Sequence, residues 1–170
     1  MAKWNLDTTH SEVGFKVKHL MINNVKGQFK SFNVELQSEG DDFKSSSISF
    51  SADVASIDTS NEQRDEHLKS ADFFDIGKFP QITFKSTKYD GSVLEGNLTI
   101  KEVTKPVKLE VDFGGIAKDP WGNTKAGFTI TGKINRKDWG LNWNAALETG
   151  GVLVSEEVTI IAEIQLAKQA

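Results

Sequence analysis

The chain has 170 residues, no cysteine, 20 basic and 24 acidic side chains, and a net charge of −4. That length predicts a single domain over residues 1–170 with a substantial core, and the missing cysteines exclude thiol nucleophiles, thiolate metal sites and disulfides. Only two arginines are present and the lysines are scattered, so there is no basic stripe to displace counterions and no nucleic-acid partner is expected.

The opening residues Met1 to Asp7 lack the apolar region of a secretory signal, and no later run reaches the length of a membrane span. A cytoplasmic protein without an integral membrane segment is expected from the chain as it stands, and a periplasmic one if a leader precedes it. From Val13 the side chains alternate, with Val13, Phe15, Val17 and His19 on one face and Gly14, Lys16 and Lys18 on the other. This is the period-two pattern of a strand with one buried face. It recurs at Ile48, Phe50, Ala52 and Val54.

The segment Arg64 to Asp75 then interrupts the strands with a charged, helix-compatible stretch. It follows Asp58-Thr59-Ser60-Asn61, whose short polar side chains can accept bonds from the free N–H groups of a helix start. It runs into Phe73-Phe74, Gly77 and Phe79-Pro80. A short polar helix with an aromatic end predicts a plug or lid packed on a β scaffold.

Alternation resumes at Ile82, Phe84 and Ser86, at Leu94, Leu98 and Ile100, and at Val107, Leu109, Val111 and Phe113. It continues at Ala126, Phe128, Ile130 and Ile134, and ends at Val158, Ile160, Ala162, Ile164 and Leu166. Turn signals at Glu39-Gly40-Asp41-Asp42, Tyr89-Asp90-Gly91-Ser92 and Asp119-Pro120-Trp121-Gly122-Asn123 join the runs as antiparallel neighbours. About eight strands with one short helix predict an all-β fold, an up-and-down barrel or a sandwich, and closure into a barrel leaves no open edge to protect.

Phenylalanine occurs 11 times and tyrosine once, so aromatic bulk comes almost without hydroxyls, as suits a dry interior. Phe15, Phe29, Phe50, Phe84, Phe113 and Phe128 fall on the apolar faces, and Gly27, Gly96 and Gly132 share those faces. Such glycines can let a barrel bend or leave room for a ligand, and an eight-stranded barrel can be filled by its own side chains or hold one small molecule. Alternation gives direction and leaves both outcomes open.

No catalytic residue, metal site or enzymatic activity is expected. His10, His19 and His67 show no close metal-ligand spacing, and no Gly-x-Ser-x-Gly elbow occurs. Glu66, Asp72 and Asp75 lie in a stretch where exposed charge is the default, and Gly150-Gly151 precede a strand where a phosphate loop would need a helix. Non-enzymatic binding is the favoured class. Two alternatives stand beside it: a stress-related structural or interaction module without cargo, using Trp121, Trp139 and Trp143 at a surface or as a barrel cap, and, with less support, a hydrolase-type enzyme.

One set of segments carries a family resemblance. His10-Ser11 with Phe15, Val17, His19-Leu20, Val25, Gly27 and Phe29 is followed by Ser56 to Asn61, Arg64 to Leu68, Phe73-Phe74-Asp75 and Phe79 to Phe84. The same order continues through Leu98-Thr99-Ile100, Val103 to Val107 and Ile134 to Asp138. Taken together these resemble the YceI-like family of lipid-binding proteins over nearly the whole chain. The resemblance implies a lipocalin-like antiparallel barrel with a long apolar cavity that stores or transports an amphiphilic lipid, a polyisoprenoid or isoprenoid-quinone-related chain, in a protein often found as a homodimer. The lipid is the expected ligand, with no other cofactor. The expected wall comprises Phe15, Val17, His19, Phe29, Phe50, Phe73, Phe74, Phe79, Phe84, Phe128, Ile130 and Trp143. Arg64, His67 and Arg136 are expected to meet the head group or to anchor the lid, and Arg64 with Asp65 could instead lock the helix to its loop. Two positions depart from the family pattern: Lys101-Glu102 stands where glycine is common, and Trp139 where phenylalanine is favoured, so the indole is expected to alter the cavity.

Overall fold

The period-two runs form strands, except that the run from Ile48 leaves its strand at Val54, in a 3-10 turn. A computed structural model describes residues 2–20, 22–39, 43–142 and 154–169. Among them the order is β1 (Ala2–Leu6), β2 (Glu12–His19), β3 (Asn23–Phe29), β4 (Phe32–Ser38), β5 (Ser47–Asp53), β6 (Ile57–Asp58), helix α1 (Glu62–Lys69), β7 (Gln81–Tyr89), β8 (Val93–Ile100), β9 (Val103–Lys118), β10 (Thr124–Asn135) and β11 (Val154–Lys168). All pairings are antiparallel, and β1-β4-β5-β7-β8-β9-β10-β11 form a ring of eight that closes through β1 and β11. The fold is therefore the barrel and not the sandwich.

The three other strands are continuations. Leu166 to Lys168 of β11 pair with β1, and Val154 to Glu163 pair with β2, so β1 and β2 lie end to end along one neighbour. A 3-10 turn at Thr8–His10 separates them. There Ser11 repairs the ladder, its hydroxyl accepting from the Gln165 N–H at 2.9 Å. Strand β3 likewise pairs with β2 while β4 pairs with β1, and β6 extends β5 beyond a second 3-10 turn at Val54–Ser56. Beyond β6 the segment carrying α1 follows, with Phe74 packed edge-on against Phe29 of β3 at 6.4 Å.

Helix α1 begins where the sequence places its cap. The Asn61 side chain accepts from the Arg64 N–H at 3.0 Å. It ends at Ser70, earlier than the charged stretch does, because the chain then turns back on itself. The Asp75 N–H donates to Ser70 at 2.8 Å and the Phe79 N–H to Asp75 at 2.9 Å. Those bonds replace helical ones, and they leave Phe79 half-buried.

The glycines on the inner faces leave no vacant space. A methyl group at Gly27 would overlap the Phe15 ring, one at Gly96 the Phe84 ring, and one at Gly132 the Leu109 side chain. Each glycine thus makes way for a large side chain from the neighbouring strand, which corrects the expectation of ligand room at these points.

One end of the barrel is plugged from a loop. Phe43, between β4 and β5, is 1% exposed and holds a left-handed backbone at φ 61°. Its ring meets Trp4 at 5.2 Å, Phe113 at 5.4 Å and Phe128 at 5.2 Å, mostly edge to face. Phe113 stacks on Phe128 at 5.1 Å, so its bulk belongs to this plug.

Near the turn between β1 and β2, Asp7 takes a bond from Lys125 Nζ of β10 at 2.6 Å and lies 2.9 Å from His10 Nδ1. The lysine bond is the largest influence on the carboxyl and holds it well below the usual carboxylate range, against the opposing effect of burial. A carboxyl depressed in the folded state adds stability above its unfolded pKa and loses it as pH falls through the folded value. Asp7→Asn is expected to cost about 1.5–3 kcal/mol near neutrality, the range for a bond to a charged group. The deficit should shrink as both proteins are acidified below about pH 4. Urea melts at several pH values check this; a deficit that stays constant down to low pH would rule out the charge pair as its source.

Candidate functional site

Inside the ring lies a cavity of about 590 Å³, within the range of small-molecule sites, lined mainly by apolar side chains of the strands' inner faces. Phe43 lies at one end of this lining. Its polar members cluster elsewhere: Lys18 and His19 end β2, Thr59, Asn61, Gln63, Arg64 and His67 belong to the segment around α1, and Arg136 follows β10. Tyr89 is an exception, and its hydroxyl is turned onto the Gly91 carbonyl at 3.1 Å.

Of the expected wall residues, Phe15, Val17, His19, Phe29, Phe50, Phe73, Phe74, Phe84, Phe128 and Ile130 all line the cavity. Phe79 does not, because the turn after Ser70 carries it away from the lining. Trp143 and the Gly150-Gly151 pair lie outside the described residues. The emphasis on phenylalanine undercounts the aliphatic share: Leu36, Ile48, Leu94, Leu98, Leu109 and Ile160 contribute to the same wall. Their parity was already visible for most of these. Leu68 also faces the cavity beside Arg64 and His67, and the spacing i, i+3, i+4 is the helical signal that marks those three as one face.

Arg64 does serve as a lock. Its Nε donates to Thr59 Oγ1 at 2.8 Å and its Nη2 to the Thr59 carbonyl at 2.6 Å. Asp65 accepts from the Thr59 N–H at 2.9 Å, so a single buried threonine is gripped by two successive helix residues. His67 Nε2 lies 2.9 Å from Asp72 Oδ2, and its ring sits edge-on to Phe73 at 5.2 Å. The three histidines are not brought together: His10 is exposed beside Asp7 and does not line the cavity that His19 and His67 share.

Arg136 is the most buried charge at the site, at 3% exposure. Its Nε donates to Ser155 at 2.9 Å, its Nη2 to Val154 at 3.3 Å and its Nη1 to Leu141, all main-chain carbonyls. Phe73 lies 6.0 Å from the guanidinium carbon. Burial lowers the pKa from the ordinary arginine value, with Glu156 opposing, yet a guanidinium stays charged. Among the described residues no carboxylate comes within ion-pair distance of it. A guanidinium offers five N–H groups, and among the described residues three are matched. The site therefore holds a fixed cation against an apolar cavity.

The tryptophans divide. Trp139 is 3% exposed, donates from Nε1 to the Leu98 carbonyl at 3.0 Å and does not line the cavity, so the indole braces the turn after β10 instead of altering the bore. Trp121 is 83% exposed.

Comparison with known proteins gives a consistent picture. A family model described as the YceI-like domain matches residues 4–166. A UPF0312 protein of Staphylococcus epidermidis is 40% identical over 168 residues, 98% of each chain, and one of Staphylococcus aureus is 39% identical over the same span. Among solved structures, the Campylobacter jejuni YCEI protein superposes with a TM-score of 0.76 at 34% identity over 97% of each chain. A polyisoprenoid binding domain from Saccharophagus degradans superposes with a TM-score of 0.73 at 11% identity over 98% of each chain, a likeness of fold alone.

Proposed function

The chain belongs to the YceI-like family, and from that premise we propose that it binds, and stores or carries, an amphiphilic lipid of the polyisoprenoid or isoprenoid-quinone class without catalysing a reaction. One observation carries the reading: an apolar cavity of about 590 Å³ that has an aromatic plug at one end and its charged groups gathered elsewhere. A prenyl chain has many carbons and few polar atoms. Burial contributes about 0.8 kcal/mol per CH₂, so each five-carbon unit supplies roughly 3–4 kcal/mol before ordering costs. Affinity then needs only a dry wall, while the head group rests near Arg64, His67 and Arg136. The Saccharophagus degradans domain of the same fold is a polyisoprenoid binding domain, and the isoprenoid class is carried over from it as the ligand to test first.

Mass spectrometry of an organic extract of the purified protein tests this. A prenyl lipid is expected at a sizeable fraction of one per chain, and stripped protein should take up a prenyl alcohol with a rise in melting temperature. Folded protein that yields no lipid and gains no stability from prenyl alcohols would refute the reading.

A further inference from the structure

The hairpin of β2 and β3 is set apart by charge. Between Val13 and Val34 the chain has four lysines and no acidic residue, within a protein whose net charge is −4. Lys16 and Lys26 face each other directly across the two strands, and Lys18 lies opposite Asn24. Like charges in register weaken a strand pair, and no carboxylate relieves these three among the described residues, although Lys30 further along pairs with Asp58 at 2.9 Å.

The turn of this hairpin is apolar where turns usually are not. The Ile22 N–H donates to the His19 carbonyl at 3.2 Å, and Leu20 holds a left-handed backbone at φ 55°, a conformation in which glycine or asparagine would be less strained. Leu20 is 38% exposed and Ile22 75% exposed. Single exposed hydrophobic residues are ordinary. Here two occupy one tip beneath unpaired lysines, and the inner face of the same strands, through Val17, His19 and Val25, lines the cavity.

We propose that the β2–β3 hairpin docks the protein on an anionic lipid bilayer, with Leu20 and Ile22 entering the interface and Lys16, Lys18 and Lys26 meeting the head groups. Apolar side chains under a basic collar are the chemistry of interfacial binding, and the charge sign selects an anionic surface. Docking rests on the hairpin alone; its use, the exchange of lipid between membrane and cavity, rests on the binding function proposed above.

Co-sedimentation of the full chain with vesicles tests it, using phosphatidylcholine alone and phosphatidylcholine mixed with phosphatidylglycerol. Binding to the mixed vesicles is expected, with weaker binding to the neutral ones and release by salt. Each basic residue near an anionic surface is worth roughly fivefold, so Lys16→Gln with Lys26→Gln should weaken binding roughly 25-fold. Ile22→Asp should abolish it, and Trp121→Ser, in the turn between β9 and β10, should leave it unchanged. Equal binding to both vesicle types, wild-type binding by the hairpin variants, or loss of binding in Trp121→Ser would overturn the proposal. So would a dimer that Ile22→Asp dissociates with vesicle binding unaltered, since a second copy would then cover the tip. Uptake of farnesol from solution separates the two readings: docking without uptake removes the cavity function, and uptake without docking removes this one.

Discussion

Replacing Phe43 by alanine is expected to destabilise the protein by about 3–5 kcal/mol, the range for deleting a buried phenylalanine ring. The ring is 1% exposed and touches three other aromatic side chains, Trp4, Phe113 and Phe128, at centroid distances of 5.2, 5.4 and 5.2 Å. Collapse cannot heal the gap, because these partners stand on β1, β9 and β10, whose ladders hold them in place. The left-handed backbone at residue 43 remains in the variant, so the loss measures the side chain and not the turn. Urea denaturation gives the stability. A loss below about 1 kcal/mol would mean that the loop does not plug the barrel in solution. The void also adjoins the cavity, since Phe43 belongs to its lining. The variant should therefore accept longer prenyl chains than the wild type, read by competition between alcohols of increasing length.

Arg136→Met is expected to cost about 2–4 kcal/mol, because it removes the donor from three main-chain carbonyls, at Leu141, Val154 and Ser155, while keeping the apolar stem. Arg64→Met should cost less, about 1–2 kcal/mol, since its partner Thr59 still donates its N–H and hydroxyl to Asp65. Binding supplies the second measurement. A charged hydrogen bond to a lipid phosphate is worth about 1.5–3 kcal/mol, so a prenyl phosphate should lose that much affinity for Arg136→Met while a plain prenyl hydrocarbon is unaffected. Equal losses for both ligands would assign Arg136 to the fold alone. Met is also small enough to avoid overpacking against Phe73, so lost charge and not lost shape is what the comparison reads.

The inner faces were legible because alternation is a local property. Val13, Phe15, Val17 and His19 point inward in β2 wherever that strand pairs, since consecutive side chains in an extended chain take opposite faces. The cap at Asn61 was legible for the same kind of reason: a short acceptor preceding a helix satisfies free N–H groups within its own turn. Shorter strands carried less signal. β3, with Gly27 between Val25 and Phe29, shows too few apolar residues to count, and it exists because β2 supplies its partner.

Some features have no local signature at all. Phe43 lies in a loop without periodicity, and nothing near it in the chain says that its ring will meet Trp4 from one end of the sequence and Phe128 from the other. Arg136 and Arg64 looked alike as donors, yet one is buried among carbonyls from both sides of the β10–β11 connection and the other grips a threonine five residues away. Trp139 looked like bore-filling bulk and became a brace on Leu98. Which faces are apolar, that neighbouring strands run antiparallel, and where the helix begins are all written locally in the chain, because they depend on neighbours a few residues apart. The plug at one end of the barrel, the large side chains that cover Gly27, Gly96 and Gly132, and the cation buried beside the cavity arise only on folding, because each depends on side chains brought together from separate strands.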